Sequence, residues 1–128
     1  MTKKVISTDK APKAIGPYSQ AIRAGDFVYF SGQIPLVPET MKMVSDEFED
    51  QARQMFQNLS EVIKASGATK AQIIKINLYL TDLSKFKYIN EIMADFFEEP
   101  YPARAAVEVS ALPAGAQVEA EAVAYLGK

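Results

Sequence analysis

The chain has 128 residues, 48% of them hydrophobic, and a formal net charge of -2. That suits one domain with its own core and leaves no basic footprint for a nucleic-acid backbone. Histidine, cysteine and tryptophan are all absent, which excludes Ser-His-Asp and Cys-His nucleophiles, disulfides and a zinc site of the His/Cys type. Behind Lys3 and Lys4 no apolar run reaches the length of a signal peptide or a membrane span, so the expectation is a cytoplasmic protein without a membrane or nucleic-acid partner.

In chain order, the first element expected is a hairpin. Gly25-Asp26 is a two-residue turn signal between residues 21–24 and 27–33, which are rich in Ile, Phe, Val and Tyr. That pairing sets Ala24 against Phe27 and Ile22 against Tyr29, with Pro35 and Pro38 ending the strand. Asp46 followed by Glu49 has the spacing of a capping box, and Ala52, Met55, Phe56, Leu59, Val62 and Ile63 follow at helical spacing up to Gly67. The acidic run around Asp46 reads as a solvated helix start.

Residues 73–80 form an aliphatic strand, with Ile74, Ile76, Leu78 and Leu80 on one face and Tyr79 on the other. Apolar on both sides, it reads as central. Asp82 is placed to cap a second helix whose stripe runs Phe86, Ile89, Met93, Phe96 and Phe97, interrupted by Asn90. Two last strands, 103–109 and 117–125, are joined through Leu112-Pro113-Ala114-Gly115. Paired with each other so that their apolar sides match, they are expected to put Arg104, Ala106 and Glu108 on one face with Gln117, Glu119 and Glu121. Two helices can cover only one side of such a sheet. The other, which also carries Phe27 and Tyr29, is expected to be an oligomer interface.

Arg104 stands out because it follows the proline-stiffened Pro100-Tyr101-Pro102 loop in a chain whose chemistry is confined to carboxylates, hydroxyls, amides and cations. Two readings stay open. The first is a cross-strand ion pair with Glu119, worth up to about 1 kcal/mol. The second is capture of a ligand carboxylate by a bidentate guanidinium, with Glu119 steering water or a proton. Asn90 reads either as a satisfied amide or as a ligand contact, and Tyr18 either as loop packing or as a contact. Ser31-Gly32-Gln33 is either an ordinary strand end or a close backbone approach that only glycine permits.

Gly16-Pro17-Tyr18-Ser19-Gln20-Ala21, Phe30-Ser31-Gly32-Gln33-Ile34-Pro35, Gln51-Ala52-Arg53-Gln54 and Pro100-Tyr101-Pro102-Ala103-Arg104 together resemble the RidA (YjgF) family of reactive intermediate deaminases, over nearly the whole chain. The resemblance implies an α+β, chorismate-mutase-like fold: a six-stranded mixed sheet with two helices on one face, assembled as a trimeric barrel with ligand clefts between subunits. It implies hydrolysis of 2-imino or enamine acids, such as 2-aminoacrylate and 2-iminobutanoate, to 2-oxo acids and ammonia, with no cofactor and no metal. Arg104 would hold the substrate carboxylate and Glu119 the attacking water, with Tyr18, Ser31, Gly32, Asn90 and Ala106 lining the cleft. Ala106 departs from the cysteine that the family often carries there. The alternative is a regulatory trimer that binds 2-oxo acids without turnover. A nuclease or translation-inhibitor role, attributed to some relatives, is disfavoured by the acidic balance.

Overall fold

Alternation along the strands sorts the chain into two sheet faces. The computed structural model describes residues 2–127. Strands β1 (Lys3–Ile6), β2 (Ala21–Ala24), β3 (Phe27–Gln33), β6 (Ile73–Leu80), β7 (Ala103–Glu108) and β8 (Val118–Tyr125) form a six-stranded sheet in the order β1-β2-β3-β8-β6-β7. The β6–β7 pair is parallel and the rest antiparallel, so the sheet is mixed. A small ribbon of β4 (Leu36–Val37) and β5 (Lys42–Met43) follows β3. Helices α1 (Phe48–Ala65) and α2 (Phe86–Phe96) complete the α+β fold.

One face supplies the core. Val28 and Phe30 of β3, Val118, Ala120, Ala122 and Ala124 of β8, and Ile76, Leu78 and Leu80 of β6 are all buried, as are Met55, Phe56 and Leu59 of α1 and Ile89 and Met93 of α2. The alanines of β8 keep the sheet low where α1 crosses it. Each large side chain buried there contributes roughly 1.5–3 kcal/mol. Among the described residues the opposite face has no helix over it, and Val5, Phe27, Tyr29, Val107 and Tyr125 stand exposed on it. Among the described residues, no helix is long and apolar enough to cross a membrane.

The expected hairpin forms in the expected register, Ala24 against Phe27 and Ile22 against Tyr29, with Gly25 at φ +61° supplying the turn. Helix α1 ends before Gly67 at φ +84°, as expected. Its start differs. Glu47 is the N-cap without a side-chain bond, and the Ser45 hydroxyl accepts from the Glu47 amide and donates to Asp50, so no Asp46–Glu49 capping box forms. Asp82 does cap, but it caps a short 3-10 turn (Leu83–Lys85) that leads into α2.

Two strand expectations are corrected. A register shift between Ile73 and Lys75 puts Ile73 on the core face and leaves Ile74 45% exposed. More consequentially, β7 and β8 are not neighbours, because β6 lies between them. Arg104 is aligned with Ile76, which is buried on the core face, whereas Glu119 is aligned with Tyr79 on the uncovered face. The two charged residues therefore project from opposite sides of the sheet, and no cross-strand ion pair joins them. Edge strand β1, with its two lysines, went unassigned in the sequence.

Candidate active site

Arg104 is the second residue of the edge strand β7, which follows the Pro100–Pro102 loop, and it turns back toward α2. Its Nη1 donates to Asn90 Oδ1 at 2.7 Å and lies 3.6 Å from Met93 Sδ. The guanidinium stacks over the Phe86 ring, 4.6 Å from its centroid. Asn90 and Phe86 are one helical turn apart on α2, so one helix face orients the cation. Asn90, Met93, Tyr101, Pro102 and Arg104 line an open cleft of about 460 Å³. Ala106, two positions along β7 on the same face, is half-buried. This arrangement holds a fork of N–H donors that Asn90 only partly uses, which suits capture of a carboxylate.

The second cluster is built around an irregularity in β3. Between Phe30 and Gln33 the pairing with β8 shifts register, and Ser31 and Gly32 occupy the break. Ser31 is tied by its amide to Gln20 O (2.9 Å) and by its hydroxyl to Ser19 O (2.5 Å). Gln20, itself buried, receives the Thr8 amide (2.7 Å) and donates to Pro12 O (2.8 Å), which fixes the segment carrying Tyr18. Buried Asn58 donates to Ile34 O and Leu36 O at 3.0 and 2.9 Å, and Gln51 Oε1 accepts the Gln117 amide at 2.9 Å. These amides bond backbone groups in the segments that flank the break. They hold the entry to β8, and with it Glu119.

Gly32 leaves the space that the Glu119 carboxylate occupies. A Cβ there would lie 2.1 Å from Glu119 Oε2 and 2.8 Å from its Cδ. Glu119 is half-buried, and that burial raises its carboxyl above the ordinary value, with the Glu121 charge adding to the shift. Tyr18, Gly32, Lys13, Pro113 and Glu119 line a cleft of about 290 Å³. Beside it, Glu121 accepts hydrogen bonds from the Tyr79 hydroxyl and, at 3.4 Å, from Asn77 Nδ2. Tyr79 is pushed up to about 12 by its bond to Glu121, by burial and by the two neighbouring carboxylates.

The residues singled out in the sequence thus fall into two clefts. Arg104 and Asn90 line the first, and Tyr18, Gly32 and Glu119 the second; Ala106 lies two positions beyond Arg104 on β7, and Ser31 sits beside Gly32 in the break of β3. One copy of the chain does not bring them together. Phe86, Met93 and the Tyr79–Glu121 pair were not singled out as site residues. Phe86 and Met93 look like core positions on the helical stripe, while Tyr79 and Glu121 meet only through the β6–β8 register.

The Endoribonuclease L-PSP family model matches residues 8–126. Reactive Intermediate Deaminase A, chloroplastic, of Arabidopsis thaliana is 49% identical over 97% of this chain and 66% of its own length. The Homo sapiens 2-iminobutanoate/2-iminopropanoate deaminase is 42% identical over 99% and 93% of the two chains. Among solved structures, RidA from the Antarctic bacterium Psychrobacter sp. PAMC 21119 superposes with a TM-score of 0.92 at 48% identity, covering 95% of this chain and 98% of that one. E. coli TdcF with bound serine gives 0.91 at 40% identity, over 97% and 99%. Fold and sequence define a member of the L-PSP class. Within it, the chain belongs to the RidA (YjgF) family of reactive intermediate deaminases.

Proposed function

We propose that the chain hydrolyses 2-imino and enamine acids, such as 2-iminobutanoate and 2-aminoacrylate, to 2-oxo acids and ammonia, and does so as a homotrimer with clefts between subunits. One observation carries this reading: Arg104 and Glu119 lie on opposite faces of one sheet, in separate clefts. A site that uses both must take Arg104 from one copy and Glu119 from the next. The exposed apolar side chains of the uncovered face supply a surface for that assembly.

Arg104 would anchor the substrate carboxylate, with C2 set over the Glu119 cleft. As a water oxygen bonds to C2 of the protonated imine, the C=N π pair moves to nitrogen and Glu119 takes the water's proton. The same carboxyl returns that proton to the amino nitrogen. Ammonia then leaves as the C–N bond breaks, the hydroxyl oxygen's lone pair forms the C=O bond, and the Glu119 carboxylate takes the hydroxyl proton, giving the 2-oxo acid. The imine is already electrophilic, so positioning supplies most of what the protein must add.

Complementation tests the shared site. Arg104→Ala and Glu119→Gln should each be nearly inactive alone. Unfolded together and reassembled as equal mixtures, they should regain about a quarter of wild-type activity, because one cleft in four then holds both intact groups. If the mixture stays as inactive as its components although mixed trimers form, the two residues do not meet across a boundary. If the chain is monomeric by light scattering, the assembly itself is wrong.

A further inference from the structure

Tyr79 stands directly across the β6–β8 ladder from Glu119, yet its hydroxyl donates to Glu121, two residues further along β8. Asn77, directly across from Glu121, donates to the same oxygen. The natural cross-strand donor to Glu119 is therefore engaged elsewhere. Among the described residues, Glu119 is left without a hydrogen-bond donor, its Oε2 lying over Gly32. A carboxylate that accepts a phenolic hydrogen bond is a weaker base and is less free to turn toward water.

We propose that Glu121 is a positioning residue for the reaction: by holding the Tyr79 hydroxyl, it keeps Glu119 free of donors and turned to the cleft. This rests on the reading of Glu119 as the proton acceptor. The ionisable groups about Glu119 are Glu121 on its own strand, Tyr79 on β6, and Lys13 and Tyr18 across the cleft. Lys75 lies further along β6 and Tyr29 along β3 on the same face, both across from Val123, and β7 presents only Ala103, Ala105 and Val107 there. Of these groups, Tyr79 alone donates within the Glu119–Glu121 cluster, and it stands across the ladder from the carboxylate it does not bond.

The test is a double-mutant cycle read as kcat/KM against pH with a freshly generated imine. Glu121→Ala releases the Tyr79 hydroxyl onto Glu119, and the rate should fall roughly tenfold, toward the lower end of what general-base catalysis supplies. The acid limb of the profile should move to lower pH, because both the lost charge and the new donor favour ionised Glu119. Tyr79→Phe alone should slow the reaction by no more than a few-fold. The double variant Tyr79→Phe/Glu121→Ala should be faster than Glu121→Ala, since no hydroxyl remains to cap Glu119. Glu121→Gln, whose amide oxygen still accepts from Tyr79, should keep most of the rate and serves if the alanine variant fails to fold. Losses that simply add, with the double variant slowest, would overturn the inference while leaving Glu119 as the base. An active Glu119→Gln would overturn both.

Discussion

The two clefts handle charge in opposite ways. Arg104 is exposed, but its direction is set: stacked on Phe86 and bonded to Asn90, it presents a cation held in place before any ligand arrives. Glu119 is half-buried and, among the described residues, has no donor, and burial together with the neighbouring Glu121 favours its protonated form. The difference fits the proposed division of labour between an anchor and a base. An anchor gains from being satisfied and preorganised, because less freedom is lost on binding. A base gains from being left unsatisfied, because hydrogen bonds to its charged form weaken it.

Removing the unsatisfied half should have the largest effect. Glu119→Gln keeps the side chain's size and one acceptor oxygen but cannot take a proton, so imine decay should slow by about a hundredfold or more. Affinity for a stable product such as 2-oxobutyrate, measured by calorimetry, should survive or improve, since a nearby negative charge is gone. A joint collapse of rate and affinity would make Glu119 part of the anchor and erase the contrast. Arg104→Lys should act the other way round. A lysine ammonium cannot reproduce the fork, and the loss, on the order of 2 kcal/mol, should appear in both oxo-acid affinity and kcat/KM.

The acid limb of the wild-type profile sharpens the same comparison. Because the Glu119 carboxyl is raised, activity should fall with acidification before an ordinary glutamate, near about 4.3, would titrate. A limb at or below that value would mean that, in the proposed assembly, solvation or Arg104 of the neighbouring copy outweighs the burial that raises this carboxyl in one copy.

Much of this was legible in the sequence wherever one element decides the outcome alone. The Gly25-Asp26 hairpin, the α1 stripe and the aliphatic β6 follow from local spacing, and Arg104 is conspicuous behind its proline loop. What failed depended on a third element. Matching the apolar sides of 103–109 and 117–125 assumed direct pairing, but β6 separates them, and the apolar side of β7 belongs to the uncovered face. Val107, 46% exposed, gives no clue in the sequence that it faces away from the core. Ile74 misled because one register irregularity exchanges faces. The lack of donors around Glu119 is a property of three residues on two strands, and no spacing within either strand encodes it.

Two smaller changes probe how each cleft is held. Gly32→Ala forces a methyl group to within 2.1 Å of where Glu119 Oε2 now lies. The carboxylate is the end of a flexible side chain and can swing aside, so the fold should persist while activity falls roughly tenfold from misplacement of the base. Unchanged melting with reduced kcat is the expected signature, and unchanged kcat would show that the close approach to Gly32 is incidental.

The smallest effect is expected at Phe86, the face on which Arg104 rests. Phe86→Leu keeps much of the apolar bulk against the core but removes the ring that the guanidinium stacks upon. A cation over an aromatic face at a partly exposed site is worth about 0.5–1 kcal/mol, so the loss should be only a few-fold, and it should fall on KM and oxo-acid affinity rather than on kcat. Phe86→Tyr, which restores a ring, should recover it. Asn90 remains in both variants, so the guanidinium keeps one hydrogen bond and is loosened rather than released. If Phe86→Leu instead lowers kcat with affinity intact, the ring acts on the reacting end of the substrate, and the separation of anchor from base does not hold.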